Sequence, residues 1–282
     1  MQVGVGLPTT TPGATGDLLL EWARRVDAGP FSSLAVLDRV AYQNFEPFTS
    51  LAAAAAVTRR VQLATMILIA PLRNTALLAK SAASLDLLSN GRLFLGVGVG
   101  ARGEDYEAAG VDPRSRGRRL GEQLEVMRDI WEEGRIGPRP SHDGGPRLLV
   151  GGSSGEAYAR MARYAEGYAH GGGPARAFAV AASRAKAAWT DAGRPGRPLL
   201  WGMAYFGLTA AGAQTGADYL RHYYAFTGPF AEKIAAGNLT TPSATVDLIR
   251  GYEEAGCDEL ILFPTVANPA EIDSLADVVG NR

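Results

Sequence analysis

The amino-acid sequence predicts a (β/α)8 TIM barrel, an α/β fold, from three observations. Four compact apolar runs, SSLAVLDRV, RVQLATMILIAP, GRLFLGVGVG and LLVGGSSG, carry glycine, proline or an acidic residue at or near their ends. Each run is followed by a stretch with the apolar spacing of a helix. The length of 282 residues matches what one such barrel requires. Because barrels of this type build their sites at the carboxyl ends of the strands, the same runs indicate where functional residues lie.

Eight strands are predicted, and most of them are continuously apolar. This pattern is typical of parallel strands that are covered outside and packed inside. The sixth strand is short and is included because GYAH lies where the barrel requires a strand. The predicted strands are 3–7, 33–38, 61–69, 93–98, 148–151, 167–169, 199–206 and 259–264.

Helix patterns alternate with these strands. The third helix has apolar residues at spacings of three and four and stops at Ser89-Asn90-Gly91, a glycine end that favours a left-handed cap. Because no second composition regime appears, the sequence predicts one domain over residues 1–282. The predicted helices are 17–28, 47–58, 74–88, 116–133, 155–164, 174–192, 241–255 and 269–279.

Three segments are longer than ordinary loops: 101–115 after strand four, 137–146 before strand five and 212–240 after strand seven. The last contains DYLRHYYAF, with aromatic residues and a histidine on a predicted short helix. We therefore predict inserts after strands four and seven. Long inserts on barrels form lids or pocket walls, or else pack outside, and the sequence leaves both roles open.

Composition excludes several classes of protein. The formal net charge of -1 gives no reason to expect binding to nucleic acid or to an anionic membrane. No apolar run reaches the length of about 20 residues that a membrane helix needs, and no cleavable leader is visible, so we expect a cytoplasmic protein. The single cysteine, Cys257, precedes a strand and is expected to pack as a small hydrophobe rather than act as a nucleophile.

The most specific candidate site follows strand five. Gly151, Gly152, Ser153 and Ser154 lead directly into a helix, so backbone, hydroxyl groups and helix N-terminus meet at one point. That combination suits a phosphate group, although a plain tight turn with a serine cap has the same sequence. Its position after a barrel strand favours phosphate binding.

A second candidate lies at the end of strand four. Gly98 and Gly100 open the chain there, and Arg102 supplies a permanent cation suited to gripping phosphate. The run does not match the dinucleotide-binding fingerprint. The acidic residues that follow, Glu104, Asp105 and Glu107, are expected to form a solvated charged face.

Three further residues are candidates for catalysis. Asp38 and Arg39 end strand two, where they form either a structural ion pair or part of the pocket floor. His170 follows strand six and is either a proton donor or a structural histidine. No spacing of histidines and carboxylates matches a metal site, so no metal is predicted.

Taken together, these blocks resemble the luciferase-like monooxygenase superfamily of flavin-dependent and deazaflavin-dependent barrel oxidoreductases. The resemblance is carried by SLAVLDRV, ATMILIAPLRNTALLAKSAASLDLLSNGRLFLGVGVG and LLVGGSSGEAYARMARYAEGYA. It implies a cofactor ring over the barrel mouth and a non-proline cis peptide bond after Thr65, at Met66–Ile67, against which the ring lies. It also implies that Arg102 and the turn from Gly152 to Ser154 hold the cofactor phosphate.

The chain departs from this resemblance at strand two. Relatives end that strand with an acidic residue followed by a functional histidine, whereas this chain has Asp38-Arg39. Arginine keeps its proton near neutral pH and cannot act as a general base. Any acid–base step must therefore use Asp38, His170, a tyrosine of the insert or the substrate itself.

The resemblance implies three functions in order of preference. The first is a monooxygenase that uses reduced FMN and O2 on a small organic substrate, with a separate flavin reductase as partner. The second is hydride transfer with the deazaflavin coenzyme F-420, whose charged tail would suit a basic groove formed by Arg114, Arg116, Arg118 and Arg119. The third is a non-catalytic flavin carrier.

Two further expectations concern assembly and substrate. The resemblance implies a homodimer, with helices 51–57 and 74–88 as the interface. An apolar or aromatic substrate is indicated by candidate pocket residues Phe45, Tyr205, Tyr223, Tyr224 and Phe226.

Overall fold

Eight parallel strands close into a barrel in the order of the sequence. In this computed structural model, which describes residues 1–280, each strand pairs with the next and β8 pairs with β1. The predicted (β/α)8 barrel is therefore confirmed. The strands are β1 (Gln2–Gly6), β2 (Ser33–Val36), β3 (Gln62–Ile69), β4 (Leu93–Gly98), β5 (Arg147–Gly151), β6 (Gly167–Ala169), β7 (Leu199–Phe206) and β8 (Glu259–Pro264).

The helices lie where the sequence predicts them, with ends that differ by no more than one residue. Several differences arise because a predicted first residue is a cap. Asn74 and Thr241, for example, stay outside their helices and accept hydrogen bonds from Leu77 N and Ala244 N. The helices that follow strands are α1 (Gly16–Ala28), α2 (Pro47–Val57), α3 (Thr75–Leu88), α5 (Arg116–Glu133), α6 (Gly155–Tyr164), α7 (Ala175–Asp191), α10 (Pro242–Glu254) and α11 (Ala270–Gly280).

Both predicted inserts are present and contain helices. The insert after β4 holds the short helix α4 (Gly103–Ala108), which the sequence did not predict. The insert after β7 holds α8 (Ala210–Tyr223), longer than predicted, and α9 (Phe230–Ala235). The tyrosines of α8 are buried with Met203 and Phe263 of the barrel strands, so this insert packs into the mouth of the barrel.

Residues 1–280 contain no helix that is both long and apolar enough to span a membrane. Cys257 is buried and its thiol donates to the carbonyl oxygens of Leu200 and Glu259. Burial raises the pKa of the Cys257 thiol to about 12, so it stays protonated and packs as a small hydrophobe, as predicted.

Candidate functional site

A cavity of about 1200 Å³ opens at the carboxyl ends of β3 to β7. Its inner wall is apolar and includes Met66, Ile67 and Met203. Its outer wall is polar and includes the glycine–serine turn after β5 and five arginines. An apolar interior with a cationic, hydrogen-bonding outer wall can hold a flat ring that carries an anionic group. We call this space the arginine cavity.

The turn after β5 has the geometry that an anion requires. Gly152 adopts a φ of +135°, and a Cβ atom at this position would lie 2.8 Å from the Cβ of Ala157. Ser154 caps α6 by accepting a hydrogen bond from Ala157 N at 3.3 Å. The first turn of α6 therefore points its positive end into the arginine cavity, where Ser153 and Ser154 add hydroxyl groups.

Tyr168 supports this turn, and sequence reasoning missed it. Its hydroxyl group donates to Gly152 O at 2.8 Å, and its ring packs against Tyr158 with centroids 5.1 Å apart. Burial raises the pKa of Tyr168, so the phenol remains a donor at neutral pH. Tyr168 itself lines the arginine cavity, and the available sequence signal was its place in GYAH, next to the candidate His170 at the end of a predicted strand.

The glycines of β4 make room for the inner wall. A Cβ on Gly98 would lie 2.0 Å from the Cδ1 atom of Ile67, and Thr65 Oγ1 donates to Gly96 O at 2.7 Å. The Met66–Ile67 peptide bond is cis, as the resemblance implied. Gly98 thus supports Ile67 from behind, whereas Gly100 and Gly151 themselves line the cavity.

The arginines on the outer wall differ in their partners. Arg118 forms an ion pair with Glu122 at 3.6 Å. Within residues 1–280, no carboxylate lies within ion-pair distance of the other four. A carboxylate at the start of α6, Glu156, is also at the wall, and its pKa is lowered by local hydrogen bonds. Arg114, Arg116, Arg160 and Arg184 form no ion pair within 4 Å in the described chain, although the charge of Arg160 also lowers the pKa of Glu156.

The Asp38 carboxylate is hydrogen-bonded by other groups of the chain. Its carboxylate accepts two hydrogen bonds from Arg73, at 2.6 and 3.0 Å, and one from Ile69 N at 2.7 Å. These bonds explain why β2 ends at Val36, two residues earlier than predicted, since Asp38 turns towards the end of β3. Asp38 therefore occupies an ion pair with Arg73, not with its neighbour Arg39.

Arg39 is buried in a second ion-paired group. Its guanidinium donates to Asp105 at 2.9 Å and to Glu104 at 2.5 Å, and it lies over the ring of Tyr42 at 5.0 Å. Asp105 also accepts from the backbone N–H groups of residues 40 and 41. The expectation that Asp105 belongs to a solvated face was wrong, because its side chain is fully buried against Arg39.

Arg102 lies on the insert and not in the wall of the arginine cavity. Its guanidinium donates to Tyr223 O at 3.1 Å and lies 4.6 Å from the Tyr223 ring and 4.3 Å from the Phe226 ring. Aromatic faces and a backbone carbonyl attract the cation in this direction. Gly152, Ser153 and Ser154, with which the sequence had grouped Arg102, do line the arginine cavity.

His170 lines the arginine cavity at the end of β6. Its ring packs edge-on against Phe178 at 5.6 Å, and within the described chain its buried Nε2 atom has no hydrogen-bond partner. Burial lowers the pKa of His170, and an interaction with the backbone of Gly172 opposes this shift. The imidazole is therefore neutral at pH 7.

Three buried tyrosines, Tyr205, Tyr219 and Tyr223, and the half-buried Tyr224 occupy the rest of the barrel mouth. The hydroxyl groups of Tyr205 and Tyr224 lie 2.8 Å apart, and Tyr219 bonds to Thr10 at 2.7 Å. Tyr223 packs edge-on against Tyr224 with centroids 5.1 Å apart. Burial raises the pKa of all four, so their hydroxyl groups stay protonated.

Beyond these tyrosines lies a second, smaller cavity of about 590 Å³ at the carboxyl ends of β1 and β2. We call it the threonine cavity. Of its residues, sequence reasoning named only Phe45 as a pocket candidate, although three consecutive hydroxyl residues after a barrel strand are a readable signal. The threonine cavity is lined by Thr9, Thr10, Thr11, Pro12, Gly13, Ala14, Tyr42, Gln43, Asn44, Phe45 and His222.

A closed parallel (β/α)8 barrel with a cavity at its mouth defines the class of barrel proteins that build their sites at the carboxyl ends of the strands. The comparison with protein families is more specific. The model of the family described as luciferase-like monooxygenase matches residues 1–255. The chain belongs to this family of enzymes.

Among curated proteins, the chain is similar to the uncharacterized protein Rv0940c of Mycobacterium tuberculosis, with 33% identity over 187 residues. That match covers 54% of this chain and 64% of Rv0940c. It is also similar to the pyrimidine monooxygenase RutA of Stutzerimonas stutzeri, with 31% identity over 176 residues, 54% of this chain and 47% of RutA. The matches thus span less than two thirds of either relative.

Solved structures with the same fold cover nearly the whole chain. Monooxygenase RslO1 from Streptomyces bottropensis has a TM-score of 0.77 at 20% identity, with 100% of this chain and 98% of that chain covered. An F420-dependent secondary alcohol dehydrogenase, in complex with an F420-acetone adduct, has a TM-score of 0.80 at 17% identity and covers 99% and 98%. The FMN complex of the oxygenating constituent of 3,6-diketocamphane monooxygenase from Pseudomonas putida has a TM-score of 0.71 at 18% identity and covers 93% and 91%.

Proposed function

We propose that this chain is a flavin-dependent oxidoreductase, specifically a monooxygenase that uses reduced FMN and O2 on a small organic substrate. The observation that carries the proposal is the arginine cavity. Its glycine–serine turn after β5, which is suited to an anion, faces an apolar wall across a space large enough for a ring system. Family membership supports the same conclusion. RutA is named as a pyrimidine monooxygenase and the diketocamphane enzyme as an FMN complex, which supports oxygenation with FMN.

The residues present fit an FMN molecule. The phosphate would be held by Gly152, Ser153 and Ser154 together with Arg116 and Arg160 of the outer wall. Thr65, Met66 and Ile67 would support the ring system, with Gly98 behind them and Gly100 and Gly151 beside it. When bound, the reduced flavin supplies the electrons that activate O2. We do not assign Arg102 to the phosphate, because its guanidinium is engaged by Tyr223 and Phe226.

The protein groups available for proton transfer are few. Asp38 and Arg39 are held in ion pairs, so we assign them the role of positioning the end of β2 and the insert α4. His170 is neutral and shapes the cavity wall. The hydroxyl groups of Tyr205 and Tyr224 bond to each other, so one of their two protons is left to donate at the barrel mouth. We propose that this pair hydrogen-bonds the substrate.

A specific observation favours a second candidate, hydride transfer with the deazaflavin coenzyme F-420. FMN carries one phosphate, whereas five arginines border the cavity and four of them have no carboxylate partner in residues 1–280. A cofactor tail with more negative charges than a single phosphate could pair with these additional arginines. The F420-dependent alcohol dehydrogenase with the same fold supports this alternative.

The remaining expectations also belong to this proposal. We propose a cytoplasmic enzyme that receives reduced FMN from a separate reductase and assembles as a homodimer through α2 and α3. Leu77 and Leu88 of α3 are largely exposed, which supports an interface on that helix. We further propose that residues 1–282 act as one domain, of which the last two lie outside the described residues.

The proposal is tested by equilibrium titration with matched cofactor pairs. FMN is compared with riboflavin, which lacks the phosphate, in both redox states under anaerobic conditions. Coenzyme F-420 is compared with its tail-less ring fragment. If the turn and the arginines hold a phosphate, FMN binds at least about tenfold more tightly than riboflavin. Equal affinities for FMN and riboflavin, together with equal affinities for F-420 and its ring fragment, would contradict the proposal. Tighter binding of F-420 than of FMN would select hydride transfer.

A further inference from the structure

The turn after β5 is anchored at its end and open in its middle. The Ser154 carbonyl accepts hydrogen bonds from Ala157 N at 3.0 Å and from Tyr158 N at 3.3 Å, and the Ser154 hydroxyl group caps α6. Ser153, in contrast, is exposed, and its backbone N–H donates to no protein atom within residues 1–280. Because Ser153 lines the arginine cavity, this N–H is available to an anion bound there.

The direction of the Ser153 N–H follows from the carbonyl group of Gly152. The peptide bond between these two residues is trans, and in a planar trans peptide the C=O and the next N–H point in opposite directions. Gly152 O accepts a hydrogen bond from the Tyr168 hydroxyl group at 2.8 Å. Glycine permits many backbone conformations, so Gly152 alone does not hold the peptide in one orientation. The bond from Tyr168 therefore holds it.

Tyr168 can hold this carbonyl group because the tyrosine is itself fixed. Only 2% of the residue is exposed, and its ring packs against Tyr158 of α6 with centroids 5.1 Å apart. Both tyrosines belong to the core between the barrel strands and the helices, whereas Ala169, the next residue of β6, belongs to the cluster inside the barrel. The Gly152 carbonyl thus faces the core, and the Ser153 N–H faces away from it, towards the exposed side of the turn.

We propose that Tyr168 is a positioning residue for a phosphate group bound at the turn after β5. Its hydroxyl group holds the Gly152 carbonyl against the core and thereby directs the Ser153 N–H at the phosphate. Tyr168 does not donate to the phosphate, because its single hydroxyl proton is donated to Gly152 O. That the phosphate belongs to a cofactor rests on the function proposed above; the orientation of the turn does not.

A second tyrosine provides a matched control. Tyr252 of α10 is fully buried, and its hydroxyl group also donates to a backbone carbonyl at 2.8 Å, that of Gly173 after β6. Tyr168→Phe and Tyr252→Phe each remove one such hydrogen bond and keep the ring. If the Tyr168 hydroxyl group only stabilised the fold, the two variants would bind phosphate alike. A positioning role predicts that only Tyr168→Phe binds phosphate more weakly.

The test compares the wild type and both variants in two measurements on the full chain. Equilibrium titration gives the affinities for FMN and for riboflavin, which differ by the phosphate group. Inorganic phosphate is then added to the cofactor-free protein while the backbone amide signal of Ser153 is followed by NMR. Melting temperatures of the two variants show whether both are folded.

In Tyr168→Phe we expect FMN to bind about three- to tenfold more weakly, the effect of one misdirected hydrogen bond, and riboflavin to bind as in the wild type. In Tyr252→Phe the ratio of the two affinities should keep its wild-type value. The Ser153 signal should respond to inorganic phosphate in the wild type and in Tyr252→Phe, and only at higher concentrations in Tyr168→Phe.

A wild-type ratio of FMN to riboflavin affinity that is above one and unchanged in Tyr168→Phe would overturn the assignment, as would an equal fall in Tyr252→Phe. A Ser153 signal that does not respond to inorganic phosphate in the wild type would also overturn it. If that signal responds as expected but the wild type binds FMN and riboflavin equally, the positioning role stands and the proposed FMN-dependent function fails.

Discussion

The two halves of the barrel mouth use arginine in opposite ways. On the β1–β2 side, Arg39 and Arg73 are bound to the buried carboxylates of Asp105 and Asp38. On the β5–β6 side, Arg116 and Arg160 line a cavity without a carboxylate partner in the described chain. The same residue type therefore fixes the backbone in one half and leaves positive charge available for an anion in the other. The sequence around an arginine does not distinguish the two uses, because they differ in whether a carboxylate from another segment forms an ion pair with it.

The largest expected effect comes from removing a buried carboxylate of the paired half. Asp105→Ala would leave Arg39 buried without its best partner and would also remove two hydrogen bonds from backbone N–H groups. We expect the free energy of unfolding to fall by about 3–5 kcal/mol. Glu104→Ala is the matched control, because Glu104 bonds to the same guanidinium but is half exposed.

Chemical denaturation of both variants measures this difference. For Glu104→Ala we expect a loss of about 1 kcal/mol or less, as for other exposed ion pairs. Similar losses for the two variants would show that Arg39 is not a buried, paired cation, and the contrast between the halves would fail.

The second expected effect concerns the β5–β6 side of the barrel mouth, which contains Arg116 and Arg160. Replacing Arg116 and Arg160 together by alanine should weaken FMN binding about tenfold or more and reduce its dependence on salt concentration. The thermal stability without cofactor should change little, because within residues 1–280 neither arginine forms an ion pair within 4 Å and the hydrogen bond from Arg116 to Gly100 O is long, at 3.5 Å. Arg118→Ala is the control, since Arg118 is exposed and paired with Glu122. Unchanged FMN affinity in the double variant would place the anion site elsewhere.

The smallest effect is a pH dependence carried by His170. Burial lowers its pKa in the folded state below the ordinary value of 6.5, so the unfolded chain binds the proton more readily. Stability should therefore be unaffected by this group above about pH 7 and fall as the pH decreases below about 6.5. Melting temperatures of the wild type and of His170→Gln, compared from pH 8 to pH 5, should converge at low pH. A wild type that gains stability relative to the variant on acidification would contradict the burial of a neutral imidazole.

The fold could be predicted from the sequence because its signals are local. Strands of three to eight residues, helix spacing between them and a glycine stop after α3 each lie within one element or at its end. Some helix starts were displaced by one residue because a cap such as Asn74 satisfies the first turn from outside. The short helix α4 was missed because its GEDYEA sequence is as compatible with a solvated loop.

The site could be predicted only where its residues are consecutive. The turn from Gly151 to Ser154 lies within one segment, and its position in the cavity matches the expectation. In contrast, the bond between Arg39 and Asp105 joins residues 66 positions apart, and nothing in either segment specifies it. The direction of Arg102 depends on aromatic rings more than 100 residues later in the chain. Such contacts come from the closure of the barrel and its inserts.

The central claim, that the turn after β5 holds the cofactor phosphate, is tested most directly by one affinity ratio in two glycine variants. Gly152→Ala places a methyl group at a φ of +135° and against Ala157, whereas a Cβ at Gly155, three residues later, meets nothing within 4 Å. The ratio of FMN to riboflavin affinity should fall towards one in Gly152→Ala and remain at the wild-type value in Gly155→Ala. A ratio that is equally high in all three proteins would contradict the account.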